Sequence, residues 1–320
     1  MDVALIHSIW QQLVLPIVRI TCFVSIGLFF ANFIESLNWT DRLAGLARPL
    51  IRIGNLSSVT GASFSVAFFS GVSANTMLAE AYDKGQMTKT ELILANLFNT
   101  LPRFFLHLPT VFFLTAPLIK LGAIIYVSLT FAGALLQTAL VIIAGKLLLK
   151  KNDGQTIEAI KTKKKSTWQE SLQKSWRRLQ KRIPRIFCYM APIYILFFLG
   201  SRYGVFHSIE RYIAANAWFL SWLNPKALGI VVLHVTAEFS AGLAAASALL
   251  ADNSLSYREV VLALLVGNIL STPIRAIRHQ LPYYTGIYAP RLALELIVTS
   301  QLFRGLSVMF VGIVYYFCSK

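Results

Sequence analysis

The sequence predicts an all-α polytopic membrane protein built from two copies of one helical unit, the second inverted relative to the first. Three observations carry this. The 320 residues are 56% hydrophobic and 14% charged, with a mean hydropathy of +0.61, well beyond a soluble domain, in which about a quarter of residues are charged. The apolar stretches run about 18–25 residues, a length that suits helical spans and not the short alternating strands of a barrel. Finally, the chain matches itself at one fixed offset.

The N-terminal "MDVALIHSIWQQ" is amphipathic and has no lysine or arginine. Residues 12–34 follow as an apolar stretch without a small-residue cleavage site, which predicts a retained span and not a cleaved signal. "TDRLAGLARPLIRIGN" is amphipathic and is expected to lie along the interface. Next comes "SSVTGASFSVAFFSGVSANTMLAEAYDKG", rich in small residues and interrupted in its middle. A polar turn leads into a span bearing "NLFNTLPRFFLH" at 96–107, and a long apolar run closes the unit. The same order then recurs: a span at 183–202, the amphipathic "HSIERYIAANAWFLSWLNPK", the small-residue "ALGIVVLHVTAEFSAGLAAASALLADNS", a span bearing "NILSTPIRAIRH" at 268–279, and a final apolar run.

Aligning the two spans pairs Asn96 with Asn268, Thr100 with Thr272, Arg103 with Arg275 and His107 with His279, all at 268 − 96 = 172. The match extends upstream, where "RITC" at 19–22 answers "RIFC" at 185–188. Downstream, Ala116-Pro117 answers Ala289-Pro290, and Ser128, Phe131 and Gly133 answer Ser300, Phe303 and Gly305. A unit of roughly 130 residues is therefore duplicated. The organisation expected is a first repeat at 1–149, a basic linker at 150–182 and a second repeat at 183–320.

Charge sets the expected orientation. The formal net charge is +16, and twelve of the thirty basic residues lie between Lys150 and Arg185. A basic loop between apolar halves belongs in the cytoplasm by the positive-inside rule, where it can also touch anionic lipid. The N-terminus has no basic residue before Arg19 and is expected outside. An odd number of crossings per copy follows, hence the inversion, in a plasma (cytoplasmic, inner) membrane. Trp168 and Trp176 in the linker suit interfacial anchors better than base-stacking platforms, so nucleic acid is not an expected partner. Cys22, Cys188 and Cys318 are scattered without a CxxC, which indicates neither a disulfide framework nor a metal cage. HExxH, GxSxG and Walker patterns are missing, so no catalytic set, cofactor or metal is expected.

Gly71, Ser73 and Asn75, followed by Thr88-Lys89-Thr90-Glu91-Leu92, resemble the hairpin-and-helix unit of the Gate, or nucleoside recognition, superfamily. Concentrative nucleoside transporters, the membrane part of B-type ferrous iron transporters and spore maturation proteins A and B share that unit. The resemblance covers both copies and implies two inverted units, each with a re-entrant hairpin. It does not supply a substrate. "GVSAN" stands where the nucleoside transporters carry an acidic Gln-Thr-Glu tip, and the hairpin cysteine of the iron transporters is absent.

Candidate site residues follow from polarity inside the apolar segments. At the hairpins, Ser70, Gly71, Ser73 and Asn75, with Ser240 and Gly242, line a solute site or allow close helix packing; half-helix N-termini there suit an anion. Glu238 either carries a coupling H+ or Na+ or pairs with Arg275 or Arg278. Asn96, Asn99, Thr100, Asn268, Ser271 and Thr272 coordinate solute, cap a break near Pro102 and Pro273, or join helices. Arg103 and Arg275 would each cost about 2.5–3.5 kcal/mol at mid-membrane, so they either bind an anionic group or snorkel to an interface. His107 and His279 stand four residues on, on the same helical face. Glu295 is spaced for a structural i, i+4 pair with Arg291. The expected function is a carrier that moves a small polar solute, anionic or zwitterionic, by alternating access, not an enzyme. The alternative is a non-transporting scaffold or regulator of the spore-maturation type, with the linker docking a partner. A homo-oligomer is left open.

Overall fold

The computed structural model describes residues 40–150, 220–236 and 239–319, together with isolated positions before residue 23 and between 169 and 208. Apart from those positions, the spans at 12–34 and 183–202 and the linker at 150–182 lie outside the described residues, as does Glu238. Every regular element among the described residues is helical. In order these are α1 (Thr40–Ile53), α2 (Ser58–Ala67), α3 (Gly71–Asp83), α4 (Lys89–Phe98), α5 (Thr100–Ile119), α6 (Leu121–Leu148), α7 (Pro225–Thr236), α8 (Phe239–Ala251), α9 (Tyr257–Arg275), α10 (Leu281–Ile287) and α11 (Pro290–Cys318). A π-helical turn, Ala276–Gln280, joins α9 to α10.

Four of the helical runs are long and apolar enough to cross a bilayer: Lys89–Ile119 (31 residues), Leu121–Leu148 (28), Tyr257–Ile287 (31) and Pro290–Cys318 (29). A 31-residue helix is about 46 Å long at 1.5 Å per residue, against a hydrocarbon core of about 30 Å. The outer faces agree with lipid contact. Leu135, Leu140, Ile143 and Leu147 on α6, and Leu302, Leu306, Phe310, Ile313 and Phe317 on α11, are all exposed. Ladders of exposed large apolar side chains are untenable in water and ordinary in lipid, where helices satisfy their backbone internally. The chain is a helical membrane protein.

The order of parts recurs. Two short helices packed on each other, α2 on α3 and later α7 on α8, precede a 31-residue span and then one of 28 or 29 residues. Local chemistry fixes the starts of these helices. Ser57, Ser70 and Thr88 accept from the backbone N–H of Thr60, Ser73 and Glu91 as N-caps of α2, α3 and α4. Ser256 and Glu259 form a reciprocal capping box at α9.

The described helices belong to two compact units, and each draws on segments from both halves of the chain. The first comprises Met1–Leu106, Gln137–Leu196 and Gln280–Ser300; the second comprises His107–Leu136, Phe197–His279 and Gln301–Lys320. Within the first, Ala62, Val66, Ala67, Ala74 and Met77 pack between α2 and α3, and Phe64 lies 4.4 Å from the Phe98 ring. The second has the larger apolar core, centred on Ile230, Leu243, Val261 and Leu264 with Tyr126 and Val308.

Candidate functional site

Each repeated Asn and Arg pair lies within one unit and makes the same contact. In the first unit, Arg103 stands fourteen residues into its span (103 − 89 = 14), near mid-helix. The missing N–H of Pro102 weakens the helix just past its interruption at Asn99. The guanidinium turns back along the helix. Nη2 donates to the Asn96 carbonyl at 2.9 Å, Nε to the Asn99 carbonyl at 3.0 Å and Nη1 to the Tyr284 hydroxyl at 3.2 Å.

Around it is a closed polar network. Asn96 Nδ2 donates to Asn75 Oδ1 at 3.0 Å and to the Tyr284 hydroxyl at 3.1 Å. Asn75 Nδ2 donates to the Tyr283 hydroxyl, which in turn donates to the Gly71 carbonyl at 3.1 Å. The Tyr288 hydroxyl donates to the Asn75 carbonyl at 3.0 Å. Asn75, Asn96 and Asn99 are each 1% exposed, and full pairing is what such burial demands. Gly71 gives passage to the arginine stem: a Cβ there would stand 3.4 Å from Arg103 Cδ. Asn99 and Ser63 exchange hydrogen bonds, and Thr100 accepts from Gln137 at 3.1 Å. Ser70 accepts from both the N–H and the hydroxyl of Ser73, so these two serines serve the start of α3.

The second unit repeats the core of this arrangement without its closure. Arg275 Nη2 reaches the Asn268 carbonyl at 3.3 Å and its Oδ1 at 3.4 Å, while Asn268 Nδ2 donates to the Tyr126 hydroxyl at 2.7 Å. Thr272 and Ser271 hydroxyls also donate to the Asn268 carbonyl. The Nε of Arg275 is buried without a hydrogen-bond partner among the described residues. His234 is 2% exposed, and among the described residues neither of its ring nitrogens has a hydrogen bond. It is held by shape. A Cβ on Gly267 would lie 2.5 Å from His234 Nδ1, and one on Gly242 would lie 2.8 Å from His234 Cβ. Phe239 stands between His234 and Tyr126, 5.1 Å from one ring and 5.9 Å from the other. The charges of Arg275 and Arg304 both act at Tyr126, and that of Arg275 also acts at His234.

Not every expected residue joins a cluster. His107, His279 and Ser240 are exposed on their helices, and Glu238 lies outside the described residues. The local pair of Glu295 with Arg291 does not form. Glu295 instead meets Lys89 at 2.6 Å, because the first turn of α4 brings an ammonium closer than its own helix does. Sequence reasoning also passed over Tyr283, Tyr284, Tyr288, Tyr126 and His234. The run "LPYYTGIYAP" was the available signal: three tyrosines in an apolar span each need a hydroxyl partner. His234, a lone histidine among valines, offered none.

No family model matches the chain, and no solved structure matches it. It is similar to three proteins of Methanocaldococcus jannaschii, each described only as uncharacterized. One is 28% identical over 285 residues, covering 87% of this chain and 88% of the relative. Another is 25% identical over 284 residues, 88% of each, and a third is 25% identical over 299 residues, 89% of this chain and 92% of the relative. The similarity therefore spans most of the chain.

Proposed function

We propose that this chain is a membrane carrier that moves a small polar solute, anionic or zwitterionic, by alternating access between two inverted Gate-like repeats. The observation that carries the reading is the twice-built Asn and Arg pair. Each arginine sits well inside a span long enough to cross the bilayer and reaches back seven residues to an asparagine carbonyl. In the second copy, donor capacity is left over. Cationic donors retained at membrane depth and not spent on structure suit an anionic group. The paired short helices α2/α3 and α7/α8 suit re-entrant hairpins, which are tolerated where protein or a water-filled cavity satisfies the backbone. A coupling H+ or Na+ fits the same scheme.

The test is uptake into proteoliposomes of labelled anions and zwitterions, with the Arg275→Gln variant beside the parent. Loss of a charge-assisted hydrogen bond predicts an initial rate lower by about tenfold or more. Unchanged uptake of a confirmed substrate by folded Arg275→Gln protein would refute the role. The side on which the linker lies is tested separately in a cysteine-free background. Ser166→Cys in the linker should be labelled only from the cytoplasmic side, and labelling from outside would reverse the assignment.

A further inference from the structure

We infer that the two polar clusters have different tasks: the second unit holds a binding site for a carboxylate, with His234 as a ligand-binding residue beside Arg275, while the first unit's cluster is structural. The inference rests on the carrier reading and deepens it. Two independent observations point to a ligand in the second unit. His234 is 2% exposed with both nitrogens unpaired, and the Nε of Arg275 is buried and unpaired, among the described residues. Leaving such groups unmet is unfavourable, and more so when charged, so an occupant that accepts from both Arg275 and His234 removes a standing penalty. Gly267 and Gly242 leave room for the imidazole and for nothing larger than hydrogen at their own Cα.

The kind of occupant follows from what is unspent. Arg275 offers its Nε edge. The Tyr126 hydroxyl accepts from Asn268 and keeps its own hydrogen to donate. A neutral imidazole offers one N–H. Each of the three can donate, which selects an acceptor, while the second imidazole nitrogen is itself an acceptor. A planar guanidinium edge matches the two oxygens of a carboxylate. In the first unit, by contrast, Arg103 gives its donors to two carbonyls and a tyrosine, and the network has no such remainder.

The full chain, purified in detergent, is titrated with acetate, dodecanoate, inorganic phosphate and methylammonium while the midpoint of thermal unfolding is followed. Acetate or dodecanoate should raise the midpoint saturably, since binding to the native state stabilises it, and which of the two does so separates a water-borne from a lipid-borne carboxylate. In His234→Ala and in Arg275→Gln, the apparent Kd should weaken by about tenfold or more. Gly267→Ala, which displaces the ring, should act likewise. Tyr284→Phe, chosen because Arg103 variants risk misfolding, should lower the midpoint of the free protein and leave the carboxylate response intact. A response to phosphate or methylammonium alone, no response to any probe, or a carboxylate response indifferent to His234 each overturns the inference. Saturable carboxylate binding with no transport in proteoliposomes refutes the carrier reading and leaves this site standing. Transport that depends on Arg275 but not on His234 does the reverse.

Discussion

An arginine inside an apolar span costs about 2.5–3.5 kcal/mol on insertion scales, and what it recovers depends on how many of its N–H groups are met. Arg103 meets acceptors at Nε, Nη1 and Nη2; among the described residues, Arg275 has hydrogen bonds from Nη2 alone. Interhelical hydrogen bonds in membranes average about 0.6 kcal/mol, and bonds from a charged donor are stronger. Arg103→Gln should therefore lower stability by about 2 kcal/mol or more, and Arg275→Gln by about half of that or less. Thermal unfolding of the two purified variants side by side checks the order. Equal losses, or a larger loss for Arg275→Gln, would mean that Arg103 is not the structural member of the pair.

At the scale of elements, one acidic residue ties the start of each 31-residue span to the start of the short helix pair before it. Glu91, in the first turn of α4, accepts from the Ser57 N–H at 2.8 Å and from the Thr60 hydroxyl at 3.3 Å. Glu259, in the first turn of α9, accepts from the N–H and hydroxyl of Ser256 and from Asn224 Nδ2 at 2.9 Å. The "TKTEL" motif thus has a local physical purpose, since a carboxylate also suits a helix N-terminus. Glu91→Gln and Glu259→Gln should each cost about 1 kcal/mol, read as a lower unfolding midpoint; no change in either would detach these links from stability. Where α6 ends, a Cβ on Gly145 would overlap the Gly54 carbonyl oxygen, whereas Gly305 in α11 faces open space. Gly145→Ala should destabilise by about 1–3 kcal/mol through overpacking, and Gly305→Ala should be neutral or better. These contacts mark the limit of what the sequence disclosed. The spans, the recurring order of parts and the Asn and Arg seven residues apart were legible because they depend on local pattern and on a fixed offset. The tyrosines that close the first cluster were not, because Tyr284 meets Asn96 from 188 residues away. Nor was His234, whose setting between Gly242 and Gly267 arises from packing and leaves no periodic trace.

At the scale of the whole chain, the boundaries of the compact units and of the repeats do not coincide. The first unit needs Gln280–Ser300 from the second copy, and the second unit needs His107–Leu136 from the first. The cuts through the two 31-residue spans fall after Leu106 and after His279, nearly the repeat offset apart, so the segments exchanged, His107–Leu136 and Gln280–Ser300, begin at matching places. A first copy alone would carry Asn75, Asn96 and Arg103 without Tyr283, Tyr284 and Tyr288, leaving buried donors and acceptors unmatched in an apolar setting. A second copy alone would carry Asn268 without the Tyr126 hydroxyl. Splitting the chain in the basic linker, at 166/167, tests this. Each half expressed separately should accumulate poorly in membranes and elute as aggregate in detergent. Co-expression of the two halves should restore a monodisperse species containing both, because the exchanged segments are then available and the covalent linker contributes only loop-closure entropy, which grows slowly with length. A first half that is stable and monodisperse by itself would show that its polar cluster is satisfied without the second copy, and the interleaved organisation would have to be abandoned.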